Sequence, residues 1–284
     1  MEIRFAKYQG TGNDFLLVRE PEIGGVEPAL LARALCARTT GLGADGLLLV
    51  REDPLEMMIY NSDGSRAPMC GNGIRCFAAW CSDEGVSRAD VYPVLTGAGE
   101  MTVAVLERSP FFCEIEMGKP DYAPAAAGIL DTADADFLRK TLYLPDGRKV
   151  VLSSFFMGTY HTVVWLDENR ENGAPDIRDD AGLEAFGRLL HELPLFTKKT
   201  NVDMGIVTGP DTIVLRTYER GAGMTAACGT GACAAAAAAY REGLSVPQVS
   251  VQVSGGILKI RVAEDETIFM SGPAMRIARG VCYY

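Results

Sequence analysis

Two short stretches of the chain repeat one pattern of cysteine, glycine, a polar residue and glycine. The first is CGNG at residues 70–73 and the second is CGTG at residues 228–231. Each leads into a run typical of a helix, which we expect to end near Gly85 in the first case and near Gly243 in the second. Because the spacing between the two copies is far too long for the period of a solenoid, the repeat predicts two similarly folded halves.

The segments before and after the first pattern resemble those before and after the second. MMIYNSDGS precedes the first and TIVLRTYERGAG the second, and each is typical of a strand that runs into a tight turn. Alternating residues after each helix predict a hairpin, so strands and helices together indicate an α+β fold. Residues 28–39 and 180–192 have helical apolar spacing, and residues 121–148 resemble a linker followed by the opening of the second half.

Composition and charge restrict the partners of the chain. A net charge of −10 argues against nucleic acid or an anionic membrane as the main partner. No apolar run reaches the roughly 18 residues of a membrane span, and the first residues lack the apolar core of a signal peptide. We therefore expect a cytoplasmic protein with a small-molecule substrate, bound neither to nucleic acid nor to a membrane.

The eight cysteines do not form a pattern typical of a metal site or a disulfide framework. No CxxC pair occurs, the spacings at the two repeats suit zinc poorly, and the chain has only two histidines. We expect no metal and no cofactor.

A helix that begins directly after each cysteine would suit anion chemistry. Its first backbone N–H groups are free and its dipole favours negative charge, so it can hold a carboxylate. The same environment is expected to lower the pKa of Cys70 and Cys228. Two thiols on opposite faces of one carbon could invert it, one removing a proton and the other delivering one.

The residues alone leave a simpler interpretation open, in which Cys70 and Cys228 are buried small apolar side chains. The repeated glycines argue against it, because they serve no packing purpose around a buried thiol. We keep the structural interpretation for the remaining six cysteines, which are Cys36, Cys76, Cys81, Cys113, Cys233 and Cys282.

Five motifs in the same order resemble those of the diaminopimelate epimerase family. They are KYQGTGNDF (7–15), GLGADG (41–46), NSDGSRAPMCGNGIRC (61–76), TNV (200–202) and YERGAGMTAACGTGACA (218–234). The resemblance covers nearly the whole chain. It implies a cofactor-independent enzyme that interconverts LL- and meso-2,6-diaminopimelate, an intermediate of lysine biosynthesis.

The resemblance also implies a fold. It is α+β, with two pseudo-symmetric lobes that each wrap a curved, mostly antiparallel sheet around a central helix. We expect an N-terminal lobe of residues 1–118, completed by 273–284, and a C-terminal lobe of residues 119–272. The active site would lie in the cleft between the lobes, and many members of the family form a homodimer.

The family motifs assign roles to individual residues. The catalytic positions are Cys70 and Cys228 as base and acid, with His161 and Glu219 beside the thiols. The substrate-binding positions are Asn13, Asn61, Gly71, Asn72, Thr159, Asn201, Glu219, Arg220, Gly229 and Thr230.

Without the resemblance, several of these residues have structural interpretations. A lone histidine such as His161 is usually a core residue. Asn13 and Asn61 could shape turns, and Glu219 with Arg220 could be a solvated ion pair. His191 matches no motif, and we interpret it as structural.

Residues 157–161 read MGTYH where the family commonly has Met-Gly-Asn-Pro-His. Thr159 replaces an asparagine that contacts the distal end of the substrate, Tyr160 replaces a proline, and Met224 replaces Glu or Gln. One alternative is therefore a racemase of the same fold that acts on a different amino acid. Another is a non-catalytic amino-acid-binding or thiol redox protein, in which Cys70 and Cys228 could form a disulfide.

Overall fold

A computed structural model describes residues 1–130 and 132–284, which form two compact units. The first unit comprises Met1–Glu116 and Ser271–Tyr284, and the second comprises Met117–Met270. No helix among these described residues is both long and apolar enough to cross a membrane.

The described residues contain eighteen strands. The strands are β1 (Glu2–Gly10), β2 (Asn13–Arg19), β3 (Gly46–Glu52), β4 (Leu55–Asn61), β5 (Arg66–Ala67), β6 (Val91–Thr96), β7 (Gly99–Arg108), β8 (Phe111–Gly118), β9 (Lys140–Tyr143), β10 (Lys149–Phe156), β11 (Tyr160–Trp165), β12 (Asn201–Gly209), β13 (Thr212–Glu219), β14 (Gly223–Thr225), β15 (Gln248–Val253), β16 (Gly256–Val262), β17 (Ile268–Pro273) and β18 (Met275–Tyr283).

Four α-helices accompany the strands in the described part of the chain. They are α1 (Pro28–Cys36), α2 (Gly71–Asp83), α3 (Asp180–His191) and α4 (Gly229–Arg241). Two short 3₁₀ helices span Glu20–Ile23 and Arg170–Asn172.

Strand pairing follows the same order in both units. In the first unit β1 pairs with β18 and β2, β2 runs parallel to β3, β3 pairs with β4, and β4 pairs with β5 and, in parallel, with β6. In the second unit β10, β11, β12, β13, β14 and β15 repeat these pairings, with β9 in the place of β18. Hairpins β6–β7 and β15–β16 also correspond. The predicted α+β fold with duplicated halves is therefore confirmed.

The helix that follows each repeated cysteine lies inside its own unit. Helix α2 packs against β1, β2, β4, β7 and β18, and α4 packs against β11, β12, β13, β15 and β16. Both helices end where we predicted, because Gly85 and Gly243 adopt left-handed conformations just past their last residues. Each unit is thus a mostly antiparallel sheet around a central helix.

Helices α1 and α3 lie at the two predicted sites, although α1 is shorter than its apolar spacing suggested. It ends at Cys36 rather than at residue 39, because Ala37 has an extended ψ of 124°. Helix α3 begins at Asp180, and the side chain of its N-cap residue, Asp179, accepts a hydrogen bond from the Gly182 N–H.

Residues 121–148, predicted as a linker followed by the opening of the second half, belong to the second unit, and the part expected to be linker also contributes to its core. Ala127, Ile129, Phe137 and Leu144 are buried in the main core of the second unit, and residues 140–143 form β9. Short apolar runs separated by proline and glycine therefore contribute to a core here. Residue 131, within the predicted linker, lies outside the described residues.

Candidate active site

The two repeated cysteines occupy the same position in their units, as the N-caps of α2 and α4. Both have extended backbones, with φ −144° at Cys70 and φ −110° at Cys228. The Gly73 N–H donates to the Cys70 Sγ at 3.4 Å, and the Gly231 N–H donates to the Cys228 Sγ at 3.3 Å. Each sulfur therefore lies at the positive end of a helix dipole, as the sequence predicted.

The residues directly after each cysteine form the first turn of its helix. Gly71 and Asn72 open α2, and Gly229 and Thr230 open α4. Backbone N–H groups in a first helical turn have no partner within the helix and can bind an anion. Thr230 also brings its Oγ1 to 3.5 Å from the Cys228 Sγ.

In the first unit, a chain of hydrogen bonds orients the two predicted asparagines. Asn72 Nδ2 donates to Asn13 Oδ1 at 2.6 Å, and Asn13 Nδ2 donates to Asp45 Oδ2 at 2.8 Å. Thr11 Oγ1 donates to Asn72 Oδ1 at 3.3 Å and accepts from Arg75 Nη2 at 2.8 Å. Because Asn13 and Asn72 have defined partners, their amide groups are held in place beside Cys70.

Asn61 ends β4, and its side chain turns towards the following loop. Its Nδ2 donates to Ser65 Oγ at 2.9 Å, and its backbone pairs with Ser65 and Gly64. The residue is exposed, so it shapes this turn and still presents a carboxamide to solvent.

In the second unit, Glu219 lies beside Cys228. Its Oε1 accepts from Thr225 Oγ1 at 2.5 Å, and the Cys228 thiol is also a hydrogen-bond partner of the carboxyl group. Burial raises the pKa of Glu219 above its usual range, and the hydrogen bonds from Thr225 and Cys228 oppose that rise.

His161 is fully buried and bonds a carboxylate that we did not predict. Its Nδ1 lies 2.6 Å from Asp203 Oδ2, and neither side chain is exposed. Thr217 Oγ1 donates to the other oxygen of Asp203 at 2.9 Å. An ionised carboxylate only accepts hydrogen bonds, so a His161 bonded to an ionised Asp203 carries its proton on Nδ1. Its Nε2 is buried with no hydrogen-bond partner among the described residues.

Arg220 and Glu219 are adjacent in sequence but have different partners, so they do not form the solvated pair that we considered. The Arg220 guanidinium stacks on Tyr160 at 5.3 Å from the ring centroid and donates to Thr159 Oγ1 at 3.5 Å. Its backbone N–H donates to Asn201 Oδ1 at 2.8 Å. Four predicted positions, Thr159, Asn201, Glu219 and Arg220, thus lie together in the second unit.

The pKa of Cys228 departs from expectation. It is raised well above its ordinary value by burial and by the nearby carboxyl groups of Glu219 and Asp203. The Gly231 N–H lowers it, as predicted for a helix end, but this effect is smaller. Burial and the two carboxyl groups therefore favour the thiol over the thiolate at Cys228.

Residue patterns did not reveal two buried charged side chains near the cysteines. Arg75 lies one turn into α2, fully buried, and its Nη1 donates to the Gly71 carbonyl at 3.0 Å. Asp203 lies in β12, also fully buried. The available signal was a single charged residue within an otherwise apolar run, GIRCFAAW and NVDMGIV.

The other residues singled out in the sequence make packing or backbone contacts. Cys76 and Cys233 are fully buried in their helices, as expected for core residues. His191 Nδ1 bonds the Thr200 carbonyl at 2.7 Å, and its ring packs on Tyr218. Within residues 1–130 and 132–284, no three His, Cys, Asp or Glu side chains group to hold a metal ion.

Solved structures of low sequence identity share this fold. A hydroxyproline epimerase from Agrobacterium vitis aligns with a TM-score of 0.67 and 14% identity, over 99% of this chain and 91% of that one. A PhzF-family phenazine biosynthesis protein from Bacillus anthracis aligns with a TM-score of 0.66 and 15% identity, over the full length of both chains. At such low identity the likeness concerns the fold alone.

Similarity at the sequence level is more specific. The family model described as diaminopimelate epimerase matches residues 5–123 and 154–277. A diaminopimelate epimerase of Alkaliphilus metalliredigens is 36% identical, over 99% of this chain and 98% of the relative. That of Clostridium perfringens is 37% identical, over 98% of both chains. The chain therefore belongs to the diaminopimelate epimerase family.

Proposed function

We propose that the chain interconverts LL- and meso-2,6-diaminopimelate, with Cys70 and Cys228 as a two-base pair at Cα. The observation that carries this proposal is the duplicated thiol, which caps a central helix in each unit at 3.3–3.4 Å from a backbone N–H. Relatives that are 36–37% identical over nearly the full chain are named for this activity.

The reaction needs one group that removes the Cα proton and another that delivers a proton to the opposite face. Cys228 favours the thiol form because its pKa is raised, so it is suited to deliver the proton. Cys70 then removes the proton in that direction, and the two exchange roles in the reverse direction. The first-turn N–H groups of α2 and α4 would stabilise the negative charge that develops on the carboxylate.

Glu219 and His161 would restore the protonation state of the thiols between turnovers. Glu219 is a hydrogen-bond partner of the Cys228 thiol, and its raised pKa makes it a better proton acceptor than an exposed glutamate. His161 offers a buried Nε2 with no partner among the described residues.

The distal end of the substrate carries a second carboxylate, for which Arg220 is the natural partner. Tyr160 supports this role because its ring lies under the guanidinium, and Thr159 accepts one hydrogen bond from the same group. Stacking thereby offers a means of orienting Arg220 where the family commonly has asparagine and proline at residues 159 and 160.

Cysteine variants assayed with diaminopimelate test the proposal. We expect Cys70→Ala and Cys228→Ala each to lower kcat by at least about 10³-fold, since neither base alone can complete an inversion. Cys76→Ala and Cys233→Ala are matched controls in the same two helices, and they should retain activity. Full turnover in either site variant would contradict the proposed mechanism.

Thr159 favours a second candidate function, racemisation of a different amino acid. Its hydroxyl is shorter than an asparagine amide and offers fewer hydrogen bonds to a distal group. A panel of L-amino acids assayed beside LL-diaminopimelate decides between them. We expect the highest kcat/KM with diaminopimelate, and a clearly higher value with a monocarboxylic amino acid would favour the second candidate.

A further inference from the structure

The two units differ in what lies beneath their cysteine-capped helices. Strand register identifies equivalent positions in the two units. Cys70 lies three residues after the end of β5, and Cys228 lies three residues after the end of β14. Ala67 pairs with Ile59, and Thr225 pairs with Thr217. Ile59 is therefore the counterpart of Thr217.

The same register extends to the next two strands. Ile59 pairs with Leu48 in the first unit, and Thr217 pairs with Asp203 in the second. Leu48 is therefore the counterpart of Asp203. Leu48 pairs in turn with Leu17, and Asp203 pairs with Val163, so Phe15 and His161, two residues earlier in each strand, also correspond.

Packing beneath the two helices agrees with this register. A Cβ added at Gly73 would meet Leu48 and Ile59 at 3.5 and 3.6 Å, which is ordinary contact. A Cβ added at Gly231 would overlap Asp203 Oδ1 and would meet Thr217 Oγ1 at 3.1 Å. An apolar set thus lies under α2, whereas a polar, ionisable set lies under α4.

In the polar set under α4, one buried nitrogen lacks a hydrogen-bond partner among the described residues. Both oxygens of Asp203 have partners, since Oδ2 lies 2.6 Å from His161 Nδ1 and Oδ1 accepts from Thr217. His161 Nε2 is buried and has no partner in the described part of the chain. A buried nitrogen without a partner is costly, so its retention indicates a partner that arrives with the reaction.

We propose that Asp203 is a positioning residue, which fixes the proton of His161 on Nδ1 and so keeps Nε2 available for proton exchange. The Asp203 carboxylate accepts the Nδ1–H bond and sets the orientation of the imidazole ring. A proton taken up at Nε2 then leaves from Nε2, and the Nδ1 proton stays in place. No electrons are transferred, and Asp203 itself contacts no substrate.

Thr217 and Gly231 complete this arrangement. The Thr217 hydroxyl holds the second oxygen of Asp203, and the missing side chain of Gly231 leaves the space that the carboxylate occupies. In the first unit neither requirement exists, because Leu48 needs no hydrogen bond. The arrangement that orients His161 is therefore found in the unit that contains Cys228.

Nitrogen-15 NMR of histidine-labelled protein tests the inference directly. The chain has only His161 and His191, so a His191→Gln variant assigns both sets of signals. We expect His161 in the otherwise unaltered protein to carry a proton on Nδ1, bonded to the Asp203 carboxylate. A His161 protonated on Nε2 alone would overturn the inference, whatever any variant shows.

Asp203→Asn adds a kinetic readout, which rests on the proposed function. We expect its His161 to shift towards the Nε2–H tautomer and kcat to fall by about 100-fold or more, with KM changed less than about threefold. Glu242→Gln is the matched control, since Glu242 is another buried carboxylate, just past the opposite end of α4. Its kcat should stay within about twofold of the parent enzyme.

The outcomes are distinguishable. An unchanged tautomer or an unchanged kcat in Asp203→Asn overturns the inference. An equal loss of kcat in Glu242→Gln also overturns it, because the effect would then follow from any buried charge. If the parent protein did not act on diaminopimelate, the proposed function would fail, and the tautomer measurements would still decide the role of Asp203. An Asp203→Asn protein that does not fold leaves the parent tautomer as the deciding measurement.

Discussion

At the residue scale, the chemistry of the two cysteines depends on neighbours that come from other strands. Cys70 and Cys228 were predictable because a repeated Cys-Gly-x-Gly pattern implies two capped helices. Asp203 and Thr217 were not, because their position beneath α4 follows from the register of β12 and β13. Local sequence indicates which face of a strand a residue occupies, but not which helix covers that face.

The first prediction concerns the glycines that follow the cysteines by three residues. Gly231→Ala should lower the free energy of unfolding by about 1–3 kcal/mol, because its Cβ would overlap the Asp203 carboxylate. Gly73→Ala is the matched control and should change it by less than about 1 kcal/mol, since the space there is ordinary and alanine favours a helix. Urea unfolding measures both. Equal losses of stability in the two variants would contradict the tighter space at Gly231 than at Gly73.

A second prediction follows from the raised pKa of Cys228. The Glu219 carboxylate raises that pKa, so Glu219→Gln should lower it and increase the thiolate fraction at pH 7. Alkylation of Cys228 by iodoacetamide, followed by peptide mass spectrometry, should therefore be faster in the variant, by up to about tenfold for each pKa unit lost. Cys282, half-buried in the first unit, is the internal reference. A slower reaction at Cys228 alone would contradict the conclusion that Glu219 raises the pKa of Cys228.

At the element scale, helix ends were easier to predict than strand partners. Gly85 and Gly243 terminate α2 and α4 as expected, because glycine readily adopts the left-handed conformation there. The pairing of β1 with β18 joins opposite ends of the chain, and no local alternation specifies such a partner. The start of the second unit similarly contributes buried residues where a linker was expected to begin, because burial depends on tertiary packing rather than on composition.

The central helices solve the same packing problem with different side chains. Helix α2 buries large residues such as Phe77 and Trp80, whereas α4 buries alanines from Ala234 to Ala239. Because alanine is small and protein interiors are close-packed, we expect the surrounding strands to pack close to α4 with no room for a larger residue.

The third prediction tests this packing. Ala237 is fully buried, so Ala237→Leu should lower the free energy of unfolding by about 1–3 kcal/mol through overpacking. Tyr240→Leu, at a position that is 40% exposed on the same helix, is the control and should change it by less than about 0.5 kcal/mol. Urea unfolding again provides the measurement, and an unchanged stability of Ala237→Leu would contradict the close packing of α4.

At the scale of the whole molecule, the resemblance is to a family in which many members form a homodimer, and β18 exposes a surface that could serve in one. Met275, Ile277, Val281 and Tyr283 are all large, apolar and about half exposed or more. Monomeric proteins seldom expose apolar residues so close together. We propose that two copies of the chain associate through β18.

The fourth prediction tests this association by light scattering coupled to size-exclusion chromatography. The parent protein should have twice the 30.5 kDa mass of one chain. The double variant Ile277→Lys, Val281→Lys should have the mass of one chain, because two buried charges would oppose association. Ile257→Lys, equally exposed on β16, is the control and should remain dimeric. A monomeric parent protein would contradict the proposal.

The central claim is that two thiols act in turn on one Cα, and early isotope incorporation in deuterium oxide tests it most directly. LL-diaminopimelate is incubated with the parent enzyme and sampled within the first few per cent of turnover. Substrate and product are then separated, and the deuterium content of each is measured by mass spectrometry. If one sulfur removes the proton and the other delivers a solvent-derived deuteron, the product carries one deuterium and the remaining substrate carries almost none. Product that retains the original proton, or substrate that gains deuterium as fast as product, would contradict the two-thiol mechanism.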